Sequence, residues 1–222
     1  MSQPLPRLRP TLDFMPSPSA EHPGLLIRDP YRFSDAVLIV PPPLVACLEC
    51  FDGGQTDLDL RELLVRMTGS LEVGEIEQGL VEALSGAGFL EDETFGAMRE
   101  QRLREFAESP VRESAHAGGA YPAAPEELRQ TLAGYMAGDA ASPPRAADDG
   151  LFAIAAPHVS PSGGWRSYRT AYSLLGPQHR DRTFVILATS HYGQPETFGL
   201  TRKSFRTPLG DASPDLPLID WL

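Results

Sequence analysis

The sequence predicts a small α+β unit followed by an α/β domain, and three observations support this division. Residues 21–95 combine short apolar segments with three stretches of helical periodicity. Farther along, two compact apolar runs, 151–156 and 183–189, are separated by one more helical stretch at about 165–175. Apolar runs without alternation are typical of strands covered on both faces, so this order predicts a parallel βαβ unit with a right-handed crossover.

The elements of the first unit follow from turn and cap residues. Prolines suit a helix start, and glycines suit a helix end because they accept left-handed backbone. The predicted elements are strands at 25–27 and 36–40, helices from the prolines at 41–43 to about 52, from 58 to 67 and from 72 to 86, and an extended segment at 88–90.

The segments that flank this unit differ from it in composition. Residues 1–20 contain five prolines and no periodicity, which predicts a flexible tail. A charged helix with few apolar positions is predicted over 96–109, where it would connect the two units. The α/β domain then occupies 110–222 and opens with a helix at about 125–136.

Composition and charge narrow the class of partners. The 41% apolar content predicts a folded core. The sequence contains no run of eighteen apolar residues, so neither a membrane span nor a secretory signal is predicted, and we expect a cytoplasmic protein. Thirty acidic residues against nineteen basic ones give a net charge of −11, which disfavours nucleic acid as a partner. The predicted third helix agrees, because it carries glutamates at 72, 75, 77 and 82 and no Arg or Lys.

The two cysteines form a single CxxC, Cys47 and Cys50. A structural zinc site normally needs a second pair of ligands, which the neighbouring sequence does not supply. We interpret them as two buried thiols on a helix, with metal or redox chemistry as the alternative.

Two histidines follow the ends of the predicted parallel strands. His158 follows the run 151–156 after Pro157, and His191 follows the run 183–189 after Ser190. Ligands of open α/β sheets bind in the crevice outside these strand ends, so we expect both imidazoles to face one pocket and predict that they could share a metal ion. In the alternative each histidine bonds only its own loop, and a metal would in any case need a third ligand. A serine hydrolase is disfavoured because no GxSxG motif is present.

Four segments resemble the Memo family, in its order and spacing, over about residues 110–222. They are RESAHAGGAYPAAPEELRQTLAGYM at 112–136, IAAPHVSPSGG at 154–164, FVILATSHYG at 184–193 and FRTPLGD at 205–211. The resemblance extends to the B component of the bacterial AmmeMemoRadiSam system. It implies a fold similar to class III extradiol dioxygenases, and an iron or copper site that includes His158 and His191.

The same resemblance implies further site residues. It places a third ligand, a cysteine, beyond residue 222, and it makes His116 a candidate catalytic or substrate-facing residue. The sequence departs from the family in the loop after His158, which reads Val159 to Gly164, and at Tyr192, where another histidine is typical. These departures put the substrate, and any role of a second histidine after Ser190, in doubt.

The first unit resembles the PqqD-like branch of winged-helix proteins, through FDGGQTDLDLRELL at 51–64 and LVEALSGAGFLED at 80–92. That resemblance implies peptide binding by strand addition. Two functions therefore stay open: a metal-dependent dioxygenase-like or redox protein, and a non-catalytic component that binds a peptide or a radical SAM partner protein of the AmmeMemoRadiSam system.

The final segment, SPDLPLIDWL, has the signals of a helix start at Asp215 and stops after two turns. A domain of this class needs further elements to cover its sheet. We therefore expect 110–222 to be the N-terminal part of a Memo-like domain and the chain to be a fragment of a longer protein.

Overall fold

The computed structural model describes residues 2–137, 150–191 and 196–222. It divides into two compact units, Met1–Glu108 and Ser109–Leu222, called here the N-terminal and C-terminal units. The N-terminal unit contains β1 (Asp13–Pro16), β2 (Leu25–Arg28), β3 (Val37–Val40), a 3₁₀ helix (Pro42–Cys50), α1 (Asp57–Thr68), α2 (Gly74–Gly86) and α3 (Glu93–Glu108). The C-terminal unit contains β4 (Val111–Arg112), α4 (Pro125–Ala137), α5 (Pro161–Tyr172), a 3₁₀ turn (Pro177–His179), β5 (Ser204–Thr207), β6 (Gly210–Ala212) and α6 (Leu216–Trp221).

The sheet of the N-terminal unit is antiparallel, in the order β1-β2-β3. The central strand places Ile27 opposite Phe14 on one side and Leu38 on the other, and Ile27 is fully buried. Gly24 precedes this strand with a φ of 154°, and a Cβ there would lie 2.3 Å from the carbonyl oxygen of Val40. Glycine is therefore required where the chain enters β2.

The helices that the sequence predicts in this unit are present. At the start of α1, the Thr56 N–H donates to the Asp59 carboxylate at 2.7 Å, and the Thr56 hydroxyl donates to it at the same distance. These hydrogen bonds lower the pKa of Asp59. The helix ends at Gly69, whose φ is 70°.

Throughout the described part of the chain, no helix has both the length and the apolar content that crossing a bilayer requires.

The expectation of a flexible tail over residues 1–20 differs from the structure. This segment contains β1, and Leu5 and Leu12 are buried in the core of the N-terminal unit. Leu8 forms an antiparallel bridge with Leu90, next to the backbone hydrogen bond from Arg9 N–H to the Phe89 carbonyl. The prolines exclude helix, but they are compatible with extended chain at a sheet edge, so proline content alone was not a sign of disorder.

A buried ion pair joins this N-terminal segment to the rest of the unit. The Arg9 guanidinium donates to Asp29 at 3.1 Å and to the Gly88 carbonyl at 2.9 Å, and it lies 3.8 Å from the centre of the Phe95 ring. The side chains of Arg9 and Asp29 are 3% and 0% exposed. Asp29 also accepts hydrogen bonds from the backbone N–H groups of residues 31, 33 and 34. The pair therefore fixes the first segment, the loop after β2, and the end of α2 together.

Two details of the helices correct the sequence-based interpretation. The helix predicted as a connector, α3, belongs to the N-terminal unit, where its Phe95 ring packs edge-on against Phe33 at 6.0 Å. Glu77, one of the four glutamates used to argue against a nucleic-acid partner, is buried and accepts a 2.7 Å hydrogen bond from Arg61. The helical period places Glu77 one turn from Leu80 and two turns from Leu84, on the side of α2 that packs inward.

The predicted parallel βαβ unit is wrong for the described residues of the C-terminal unit. The runs 151–156 and 183–189 are not assigned to strands, and Phe152 and Ile186 are 99% and 83% exposed. An apolar run indicates only that its side chains favour burial. A strand also needs a neighbouring strand to which its backbone N–H and C=O groups can form hydrogen bonds. The sheet that does form is β4-β5-β6, with β4 parallel and β6 antiparallel to β5.

The β5–β6 hairpin turns at Thr207–Gly210. Thr207 pairs with Gly210, so Pro208 and Leu209 form a two-residue connection. The Thr207 hydroxyl donates to the Gly210 carbonyl at 2.7 Å and accepts from the Leu209 N–H at 3.2 Å. These hydrogen bonds hold the hairpin turn in shape.

The buried ion pair gives the first testable prediction. Replacing Asp29 with Asn leaves the Arg9 charge buried without a counter-charge, and we expect the free energy of unfolding to fall by about 3–5 kcal/mol. Asp13→Asn is the matched control, because the Asp13–Arg28 pair has the same 3.1 Å separation but is 35% and 52% exposed. The control should lose less than about 1 kcal/mol. Urea unfolding followed by circular dichroism measures both losses, and equal losses would contradict the assignment.

Candidate metal centre

The structure brings His158 and His191 together. Their Nε2 atoms are 2.9 Å apart and their ring centroids 5.0 Å apart, with the ring planes tilted by 41°. Both side chains are exposed, so the pair lies open to solvent. The two imidazoles approach each other as expected, but they are exposed to solvent and the two segments that carry them are not paired as strands.

The loop that carries His158 is held by Tyr168 from α5. The Tyr168 oxygen lies 2.7 Å from the carbonyl oxygen of Pro157 and 2.7 Å from that of Val159. A phenol has one hydrogen, so the hydroxyl donates to one of these carbonyls at a time. It can also accept from the Val159 N–H at 3.4 Å. The backbone on both sides of His158 is therefore fixed by a single side chain.

The start of α5 explains why Tyr168 can reach this loop. The helix begins at Pro161, four residues before the predicted start, because Ser160 caps it by accepting from the Gly163 N–H and proline suits the first turn. Gly164 is buried, and a Cβ there would lie 2.5 Å from Val159 and 3.0 Å from the Tyr168 ring. The absence of a side chain at Gly164 lets the helix and the His158 loop pack closely.

The segment that leads to His191 is fixed near its beginning. The Thr183 hydroxyl donates to the Asp215 carboxylate at 2.8 Å, and the same carboxylate caps α6 by accepting from the Leu218 N–H at 3.1 Å. These two hydrogen bonds lower the pKa of Asp215, in that order of importance. Tyr192, the sequence departure noted after His191, lies outside the described residues.

The separation of the two imidazoles fits two arrangements. A metal ion bonded to both nitrogens at about 2.0–2.1 Å would hold them about 2.9 Å apart if the nitrogen–metal–nitrogen angle were about 90°. The observed 2.9 Å also equals the length of a direct N–H···N hydrogen bond, in which one neutral ring donates and the other accepts. The donor set of two imidazoles suits iron, copper or zinc. The geometry is therefore compatible with a shared ion.

His116, the candidate catalytic residue, is placed in a turn between β4 and α4. It is exposed, and its carbonyl accepts from the Gly119 and Ala120 N–H groups at 3.2 and 2.9 Å. Within residues 2–137, 150–191 and 196–222, no three His, Cys, Asp or Glu side chains group closely enough to hold a metal ion. His116 thus does not join His158 and His191 as a third ligand in this arrangement.

Tyr168 and Gly164 are the site residues that sequence reasoning missed. Helical spacing showed Tyr168 only as an apolar position of α5. Its distance from His158 along the chain, ten residues, gives no sign that the hydroxyl returns to the loop. The pair Gly163–Gly164 after Ser160 was the available signal, because glycine often marks a close approach of backbone.

Comparison with known proteins identifies the family of the chain. Residues 112–222 match the family model described as Memo-like protein. The MEMO1 family protein of Aquifex aeolicus (strain VF5) is 27% identical over 197 residues, which cover 89% of this chain and 50% of that protein. The chain therefore spans about half the length of the curated relative it matches. No solved structure matches it significantly. Because the family model covers half of the chain, the histidine pair included, this protein belongs to the Memo family.

Proposed function

We propose that His158 and His191 supply two ligands of an iron or copper site in a dioxygenase-like or redox protein of the Memo family. The observation that carries the proposal is the 2.9 Å separation of the two Nε2 atoms. Two loops that are distant in sequence converge there, one held by Tyr168 and the other anchored through Asp215. We further propose that the domain is of the class III extradiol dioxygenase type and that the protein corresponds to the B component of the AmmeMemoRadiSam system.

Each residue of the site has a distinct part in this proposal. The metal would supply activation of a small molecule that coordinates to it, because an ion with open positions acts as a Lewis acid or exchanges electrons. His158 and His191 hold the ion through neutral ring nitrogens. Tyr168 holds the His158 backbone in place. His116, exposed in its turn, contacts substrate or moves a proton.

A non-catalytic component that binds a peptide or a radical SAM partner is the second candidate. The observation that favours it is the sheet of the N-terminal unit, in which β1 and β3 each have one side that pairs with no strand of the described residues. Such edges accept an added strand, as a PqqD-like unit would. Binding of a peptide with no uptake of iron or copper would favour this candidate over the metal-dependent one.

Metal binding is the direct test. We expect the 222-residue chain to bind one Fe(II) or Cu(II) ion at the histidine pair. His158→Ala and His191→Ala should each weaken the affinity at least tenfold, because loss of a residue that only supports a ligand already weakens metal affinity by about 10- to 100-fold. His22→Ala, a substitution in a loop of the N-terminal unit, is the control and should bind as the parent does. Equilibrium dialysis with elemental analysis measures the affinity. Equal binding by the parent and both site variants would refute the proposal.

The role of Tyr168 gives a separate prediction. Tyr168→Phe removes a hydrogen bond worth about 0.5–1.5 kcal/mol, so we expect metal affinity to fall by about two- to tenfold. The control is Tyr172→Phe, because Tyr172 lies next to Tyr168 on α5 at a ring distance of 6.3 Å and is half exposed. Thermal unfolding of both variants should distinguish an effect on metal affinity from an effect on the stability of the fold. A loss of stability with unchanged metal affinity would show that Tyr168 supports the fold and does not position His158.

A further inference from the structure

Three sulfur atoms gather where the first 3₁₀ helix packs against α1. Cys47 and Cys50 are free thiols with exposures of 0% and 3%. Residues three apart in a 3₁₀ helix lie one above the other, so the two thiols are on the same side of this helix. Met67, in the last turn of α1, places its Sδ atom 4.0 Å from the Cys47 Sγ atom. Two buried thiols therefore lie on one side of the 3₁₀ helix, and a thioether from α1 contacts the first of them.

We propose that Cys47, Cys50 and Met67 form a binding site for one Cu(I) ion, called here the sulfur site. Thiolate and thioether ligands are soft and select Cu(I) over harder ions. At metal–sulfur distances of about 2.3 Å, two sulfur atoms about 4.0 Å apart subtend an angle of about 120°, as in a trigonal site. Zinc is disfavoured, because it normally takes four ligands and no group of three His, Cys, Asp or Glu occurs in the described ranges.

An opening to solvent gives an ion a route to Cys50, the second of the two cysteines. A cavity of about 230 Å³ reaches Cys50, and it is lined otherwise by Glu49, Gln55, Asp59, Glu62, Leu63 and Arg66. Three carboxylates against one guanidinium make its surroundings acidic, and the whole chain has a net charge of −11. A cation is therefore attracted to the entrance, while anions are repelled.

The burial of the two cysteines determines their protonation state without metal. Burial raises the pKa of both cysteines, and the Cys47 charge and nearby carboxylates add to the increase at Cys50. The thiols therefore stay protonated when no metal is present, which protects them from oxidation. When Cu(I) binds, both protons pass to solvent and two sulfur–metal bonds replace the two S–H bonds, with no change of oxidation state.

The sulfur site is independent of the histidine pair, and the experiment must separate them. We use the His158→Ala/His191→Ala double variant as the background, load it with Cu(I) supplied as the acetonitrile complex under argon, and compete with bathocuproine disulfonate. We expect one Cu(I) per chain to be retained. Cys47→Ala and Cys50→Ala should each abolish retention, and Met67→Leu should weaken it at least tenfold. Met136→Leu, in α4 of the C-terminal unit, should leave it unchanged.

Two results would overturn the proposal. The first is retention that is unchanged in Cys47→Ala, or equal in Met67→Leu and Met136→Leu. The second uses the unsubstituted cysteines and so does not depend on whether the variants fold: Cu(I) loading of the background protein must produce thiolate-to-copper charge-transfer absorption in the near ultraviolet. Retained copper without that absorption would place the ion at other ligands.

Discussion

The meeting of His158 and His191 depends on the Tyr168 hydroxyl, which lies within hydrogen-bond distance of the backbone carbonyls on both sides of His158. The loop is exposed and lies outside any strand, so few other forces fix its position. Close packing at Gly164 brings α5 near enough for that contact. The short capped helix α5 thus positions His158, which the sequence analysis expected a pair of parallel strands to position. This arrangement makes the position of the His158 imidazole sensitive to changes at Gly164 and Tyr168 on α5.

The N-terminal unit is organised around a different constraint, the burial of Arg9. A guanidinium with 3% exposure must be paired, and Asp29, the Gly88 carbonyl and the Phe95 ring together satisfy it. Because these partners come from the loop after β2, the end of α2 and the start of α3, pairing Arg9 fixes their mutual positions. The same requirement explains why the proline-rich segment before β1 is ordered.

Sequence reasoning predicted local elements well and long-range partners poorly. The helices at 57–68 and 74–86 were predicted because their leucines recur at the helical period and glycines follow them. The runs at 151–156 and 183–189 were interpreted as strands because apolar content does not reveal whether a neighbouring strand is present to bond them. Arg9 was missed for a related reason, since its partners lie 20 to 86 residues away and no local pattern records them.

The central claim is that two imidazoles, from loops 33 residues apart, hold one ion. X-ray absorption at the iron edge of the Fe(II)-loaded chain counts the imidazole ligands directly, without dependence on activity. We predict two imidazoles per iron in the parent protein and one in His191→Ala at saturating iron. The same imidazole count in both proteins would contradict the account, because it would show that His191 does not share the ion with His158.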